Sequence, residues 1–303
     1  MKTINLRITL RRLCLVAIAL PATLISATPP LLAAETSVTN LAGSTHFHGI
    51  AVAADDPSRI YLATHHGVYA VALDGGADRI SANRNDYMGF TPHPSDPNLL
   101  YGSGHPVGGG NMGFIRSRDK GKTWQKLSNG VGGPVDFHQL DISKADPNII
   151  VGMSRGFQMS RDGGRSWKMI ASGPKDLIDL AASATDKDTF YAATQRGLVR
   201  SKDGGRSWQP AHSARRTTTM VHVGADATVY AYQIGTGFIK TIEPKLNWRV
   251  LNNSFGQAYM LHLAIDPENP KLLYAITSNR QTRAQAITTS RDGGKTWKNL
   301  GAK

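Results

Sequence analysis

The chain has 303 residues, 40% of them hydrophobic and 19% charged, with 31 glycines and 15 prolines, a composition that excludes disordered and fibrous classes. Its formal net charge is +13, yet no basic helix interleaved with aromatics occurs, which argues against a nucleic-acid partner. Glutamate occurs only at Glu35, Glu243 and Glu268, against nineteen aspartates; because glutamate favours helices and aspartate favours turns and caps, the chain reads as rich in strands and turns.

Residues 1–34 have the features of an export segment. Lys2, Arg7, Arg11 and Arg12 precede the apolar stretch Leu13 to Leu20, and the small pair Ala33-Ala34 follows, which places cleavage after Ala34. Pro21, Pro29 and Pro30 interrupt the apolar residues, so no transmembrane segment is expected after cleavage. Removal takes the single cysteine, Cys14, and with it any thiol chemistry or disulfide. The expected mature chain carries 31 cations against 22 acids, net +9, and a periplasmic or secreted location follows.

Downstream, one octet recurs almost unchanged: Ser117 to Trp124, Ser160 to Trp167, Ser201 to Trp208 and Ser290 to Trp297, all of the form Ser-[Arg/Lys]-Asp-x-Gly-[Lys/Arg]-[Ser/Thr]-Trp. Two worn copies fill the gaps, one from Ala72 to Arg79 and one ending at Trp248. The copies end at 79, 124, 167, 208, 248 and 297, at intervals of 40 to 49 residues. Around each lies the same order of apolar strand, Asp-Pro-like turn, second strand, loop, third strand, octet and fourth strand. The turns are at Asp56-Pro57, Asp96-Pro97, Asp146-Pro147, Asp186-Lys187 and Asn269-Pro270. Blade two shows the pattern, with strands expected at Tyr87 to Thr91, Leu99 to Gly102, Met112 to Arg116 and Trp124 to Leu127. Such a period predicts an all-β fold, a six-bladed β-propeller of four-stranded antiparallel blades, forming one domain over residues 35–303. The stretch after Ser37 is a candidate for closing the ring.

The octets resemble the Asp-box, or BNR repeat, and the chain is similar to bacterial Asp-box propellers over almost all of its mature length. The phrases His46-Phe-His-Gly49, His65-His-Gly67, Met88-Gly-Phe-Thr91 and Gly104-His-Pro106 also resemble a bacterial subfamily described as sialidase-like or glycosyl-hydrolase-like. The resemblance implies the propeller fold and a turn stapled by its aspartate, glycine and tryptophan, without assigning chemistry. A sialidase, as that family is known, needs an arginine cluster, a Tyr-Glu pair and an Asp acid/base. No matching early arginine motif is seen here, and the three glutamates are poorly placed. A glycosidase using two aspartates remains open, with Asp86 and Asp136 as its catalytic pair.

Counting back from the turns aligns His46, Asp86, Asp136 and Asp176 in the last loop position before the first strands, and His48, Met88, His138 and Ile178 two residues on. A period of two aims both columns the same way. The loops between second and third strands add His65, His66 and His105. Six of ten histidines thus map to one mouth of blades one to three, beside Asp86, Asp136 and Met88, while Asp176, Arg155 and Arg196 stand on later blades. Imidazole suits zinc and copper, thioether favours copper, and carboxylate adds a ligand or orients a ring. The metal candidates are therefore His46, His48, His65, His66, His105, His138 and Met88. Candidate ligand-binding residues are Asp86, Asp136, Asp176, Arg155 and Arg196. His93 and His212 fall in polar turns; His222 and His262 sit in apolar strands and read as core histidines.

The function expected from these residues is an exported binding protein, with a mouth that takes Cu or Zn and no organic cofactor. Structural roles for the same histidines, a glycoside hydrolase and a protein-binding assembly scaffold stay open. The expected partner is a small molecule, a metal or a protein at the mouth.

Overall fold

Each intact octet folds into a hydrogen-bonded turn between third and fourth strands. In blade three, Asp162 accepts from the Ser166 amide at 2.9 Å, the Ser166 hydroxyl at 2.6 Å and the Ser160 hydroxyl at 2.8 Å. Ser160 Oγ in turn accepts from the Gly164 amide at 2.8 Å. The same bonds recur around Asp119, Asp203 and Asp292, so the turn satisfies its own amides without a helix or sheet partner. The indole N–H of Trp124, Trp167 and Trp297 donates back to the carbonyl of the second octet glycine or its equivalent, at 3.0 to 3.2 Å.

In a computed structural model that describes residues 34–301, these turns close six antiparallel blades. The expected export segment lies outside the described residues, apart from Ala34. Blade one comprises Phe47–Val52, Arg59–Thr64, Gly67–Ala72 and Gly76–Arg79. Blade two comprises Asp86–Pro92, Leu100–His105, Phe114–Ser117 and Gln125–Ser128. The remaining blades begin with the strands Gln139–Ile142, Leu177–Ala182, Thr218–Val223 and Ala258–Ile265. These first strands are innermost and neighbour one another around the ring, the sixth meeting the first. Among the described residues no helix is long and apolar enough to cross a membrane.

Ring closure uses the N-terminal stretch. Thr36–Ser37 adds a fifth strand to the outer edge of blade one, pairing with Gly76 and Ala77. Ser37 then caps the helix Val38–Ser44 by accepting from the Asn40 amide, as N-cap serines do. Val38 and Leu41 bury against Ile287 and Leu300 of blade six and Phe47 of blade one. Between the same two blades, the Gln285 side-chain amide accepts from the Phe47 amide at 2.7 Å and donates to the Phe47 carbonyl at 3.3 Å. It pairs with the innermost strand as a neighbouring backbone would.

The other seams are apolar wedges. Phe114, Phe157 and Phe238, on third strands, are fully buried, each contributing about 1.5–3 kcal/mol. Each meets the tryptophan of the following blade edge-on: Phe114 with Trp167 at 5.2 Å, Phe157 with Trp208 at 5.6 Å, Phe238 with Trp297 at 5.6 Å. The second octet glycine closes over the same ring. A Cβ at Gly164, Gly205 or Gly294 would overlap Phe114, Phe157 or Phe238 respectively, and all three have positive φ. The octet therefore keys one blade to the next.

The worn fifth copy keeps this seam role by other means. Glu243 is buried and accepts from the Tyr191 hydroxyl at 2.9 Å and the Ala184 amide at 3.0 Å, both in blade four.

Two outcomes follow. Gly205→Ala, at φ +86° against Phe157, costs about 2–4 kcal/mol by chemical denaturation, from overpacking plus a strained backbone. Gly163→Ala, at φ +71° with its nearest neighbour 3.8 Å away, costs only about 1 kcal/mol; equal losses would refute the seam role. Partial burial opposes ionisation of Asp162, yet hydrogen bonds from Ser166 and Ser160 prevail and hold its carboxyl down at about 2. A depressed carboxyl stabilises the fold above its unfolded value near 4, and that contribution is lost as pH falls through the folded value. Asp162→Asn therefore lowers the melting temperature by about 2 °C at pH 7, and the difference from the parent shrinks between pH 5 and pH 2.

Candidate functional site

Antiparallel order within a blade puts the loop ahead of the first strand and the loop between second and third strands at one mouth, and the octets at the other. A β-bulge refines this. The register slips in the innermost strands at Phe47/Gly49, Tyr87/Phe90, Leu177/Asp179, Thr218/Met220 and Met260/His262. His48, Met88, Ile178, Thr219 and Leu261 fall within these slips, and a bulge re-aims a side chain that simple alternation would place. In blade three, His138 precedes its strand.

The mouth carries two triads of matching composition. In the first, His48 Nε2 lies 3.2 Å from His65 Nε2 and 3.9 Å from Asp86 Oδ1, and His65 Nδ1 lies 2.9 Å from Asp86 Oδ2. In the second, Asp136 Oδ2 lies 3.1 Å from His105 Nε2 and 2.6 Å from His138 Nε2. Within each triad the possible donor atoms all lie within 4.8 Å of one another. Each triad spans a seam: His65 belongs to blade one and Asp86 to blade two, His105 to blade two and Asp136 to blade three. Within blade two, Gly104 lets the second strand close on Asp86, because its φ is +129° and a Cβ there would overlap the Asp86 carbonyl.

The polar bookkeeping is incomplete in both triads. Asp86 Oδ1 and Asp136 Oδ1 are buried without a hydrogen-bond partner among the described residues, a costly condition for a carboxylate. His105 Nδ1 faces the Gly110 carbonyl at 2.8 Å and so must carry the proton there; its Nε2 lone pair is then left pointing at the Asp136 carboxylate. Such an acceptor pair needs a proton or a cation between its members. Burial, reinforced by the neighbouring His65, pushes His48 down to about 3, so its ring is neutral at pH 7, as a metal ligand must be. His138 is shifted the other way by its hydrogen bond to Asp136.

The remaining candidates are apart from these sets. His46 and His66 are exposed, with ring centroids 5.5 Å and 6.5 Å from His65, and they belong to neither triad. Met88 is buried in the blade between the triads. Asp176 is exposed and ion-pairs with Arg196 at 3.2 Å, while Arg155 donates to the Gly132 carbonyl at 3.1 Å. His93 and His212 accept backbone amides in turns.

His222 and His262 depart from the sequence reading. Rather than packing in the core, both line an axial channel with His48 and His138. Their strands looked apolar because alternate residues do pack between blades. The shortened turn Gly224-Ala225-Asp226, which lacks the Asp-Pro signature, hid the column alignment in blade five.

No protein-family model matches the chain, and no curated protein matches it. Solved structures do. A family GH74 xyloglucanase from Xanthomonas campestris aligns with TM-score 0.54 and 21% identity over 85% of this chain and 45% of its own. A family GH74 enzyme from Niastella koreensis gives TM-score 0.57 and 16% identity over 84% of this chain and 45% of its own. YCF48 bound to a D1 peptide gives TM-score 0.51 and 16% identity over 85% of this chain and 82% of its own. The chain thus spans about half the length of the hydrolases, and the likeness shows that the fold is a β-propeller.

Proposed function

We propose that this chain is an exported Asp-box propeller, periplasmic or secreted, that acts as a binding protein and holds Cu or Zn at its His/Asp mouth. The observation that carries this reading is the pair of buried, unpartnered carboxylate oxygens, Asp86 Oδ1 and Asp136 Oδ1, each beside two imidazoles. Bonds of about 2.0 Å in a tetrahedral site imply donor separations near 3.3 Å, and His48 to His65 at 3.2 Å and His105 to Asp136 at 3.1 Å fit that edge. Two imidazoles and one carboxylate suit zinc or copper. Three protein donors leave a fourth position for water or an exchanging ligand. The Gly110 carbonyl would orient His105 from behind, as outer partners of ligating histidines do.

A protein-binding scaffold is the second reading, favoured by the rim of blades three to six. There Arg155, Lys175, Arg196, Arg215, Arg216 and Arg280 are all exposed, with Asp176 as a counter-charge. The likeness to a propeller solved with a peptide supports it only as a possible use of the fold. A glycosidase is less well supported. Asp86 and Asp136 are already engaged by imidazoles, and Glu243 holds blades together at the octet mouth.

Elemental analysis and calorimetry test the metal reading. The purified mature protein is expected to bind one to two equivalents of Cu or Zn. His48→Ala and His138→Ala should each weaken one site by about 100-fold or more, and the double variant should lose both while melting normally without metal. Absence of uptake from either ion would overturn the reading. Glycoside hydrolysis abolished by Asp136→Asn would replace it with the enzyme, and retained metal with a partner lost in Arg155→Glu/Arg196→Glu would add the scaffold role.

A further inference from the structure

The innermost strands enclose an axial channel that runs from His48 and His138 at the mouth toward the turns carrying Asp226 and Asp266. Its cavity is about 250 Å³. That exceeds the roughly 150 Å³ apolar cavity known to take up benzene and falls short of drug-sized pockets of about 300–1,000 Å³. Every blade contributes one apolar residue to a collar around it: Ile50, Phe90, Leu140, Leu180, Val221 and Leu263.

Of the four carboxylates that line the channel, the two beside the collar, Asp141 and Asp179, are already in use. Asp141 accepts from the Ala182 amide and Lys144 Nζ, both at 2.8 Å, and from the Thr91 hydroxyl at 3.2 Å. Asp179 accepts from the Val221 amide at 2.9 Å and the Leu180 amide at 3.0 Å. They stitch blade to blade and leave little for a ligand. Gln139, His222 and His262 differ: each is half-buried on the channel wall, and none has a side-chain hydrogen bond among the described residues. In sequence, Gln139 and His262 lie one residue ahead of their collar members Leu140 and Leu263, and His222 one residue beyond Val221. Free polar groups therefore flank the collar on both sides.

Around the collar the charge is balanced at neutral pH, and Asp226 and Asp266, at the turn end of the channel, have their carboxylates bound by the Thr228 amide and by the Glu268 and Asn269 amides respectively. Lys144 is paired with Asp141. Burial pushes His222 and His262 down to about 4 and Asp179 up to about 8. A charged guest would lose its hydration without a counter-ion. A neutral one would meet apolar walls and imidazole and amide groups that both donate and accept.

We infer that the axial channel is a binding site for a small uncharged aromatic molecule bearing hydroxyl or ring-nitrogen groups, seated in the apolar collar and hydrogen-bonded by Gln139, His222 and His262. The site needs no metal at the mouth.

Calorimetry on the full mature chain, with and without EDTA, tests it using 4-hydroxybenzyl alcohol as probe and 4-hydroxybenzoate and 4-hydroxybenzylamine as charged counterparts of similar shape. The alcohol is expected to bind saturably at one equivalent whether or not metal is removed, and the charged probes at least about tenfold more weakly. Gln139→Leu, His222→Leu and His262→Leu should each weaken the alcohol by about three- to tenfold, the range for one lost hydrogen bond. No saturable binding of the alcohol to the parent protein overturns the inference. So does preference for a charged probe, or indifference to substitution among those variants that melt as the parent does. Because EDTA removes the metal from the measurement, failure here and failure of the metal reading are separate results.

Discussion

Phe114, Phe157 and Phe238 each lie between the tryptophan and the second glycine of the octet in the next blade. This contact sets how closely, and at what angle, one blade meets the next. A propeller has no hydrogen-bonded sheet running around its circumference, so seam packing carries the ring. The aspartate of the octet matters because it holds the turn in the one shape that brings glycine and tryptophan onto the ring together. At the sixth seam the same job falls to the N-terminal helix and the Gln285 amide, since blade one has only a worn octet to offer.

Both triads depend on those seams. His65 reaches Asp86, and His105 reaches Asp136, only across a blade boundary. A small change of inter-blade angle would separate donors that now sit about 3 Å apart. The bulges act on a finer scale, turning His48 out of simple alternation, where it meets His65. What results is a mouth with unlike halves. One side gathers imidazoles around half-buried carboxylates; the other presents exposed arginines. Six repeats of one plan supply equivalent positions, and different residues at those positions divide the labour.

The channel shows how similar residues take different roles by their surroundings. Asp141 and Asp179 spend their lone pairs on backbone amides of the next blade, so they serve the seam. His222 and His262 face the cavity with no such partner among the described residues. Glu243 makes the same contrast at the opposite mouth, where a carboxylate that composition alone might nominate for catalysis instead binds Tyr191 and Ala184 of the neighbouring blade.

Repetition made the fold legible from the chain alone. Four intact octets and a 40- to 49-residue interval specify a hairpin turn and its spacing, and local hydrogen bonds within eight residues suffice to build it. The clustering of His48, His65, His105, His138, Asp86 and Asp136 on one mouth could be read by counting from the turns, because loop position within a repeat is also local. Tertiary structure alone decided that these residues form two triads rather than one group and that His46 and His66 stay outside. It likewise turned His222 and His262 toward the axis instead of the core. Those outcomes depend on bulges and on the angle between blades, where residues far apart in sequence meet, and no local pattern encodes a distance across a seam.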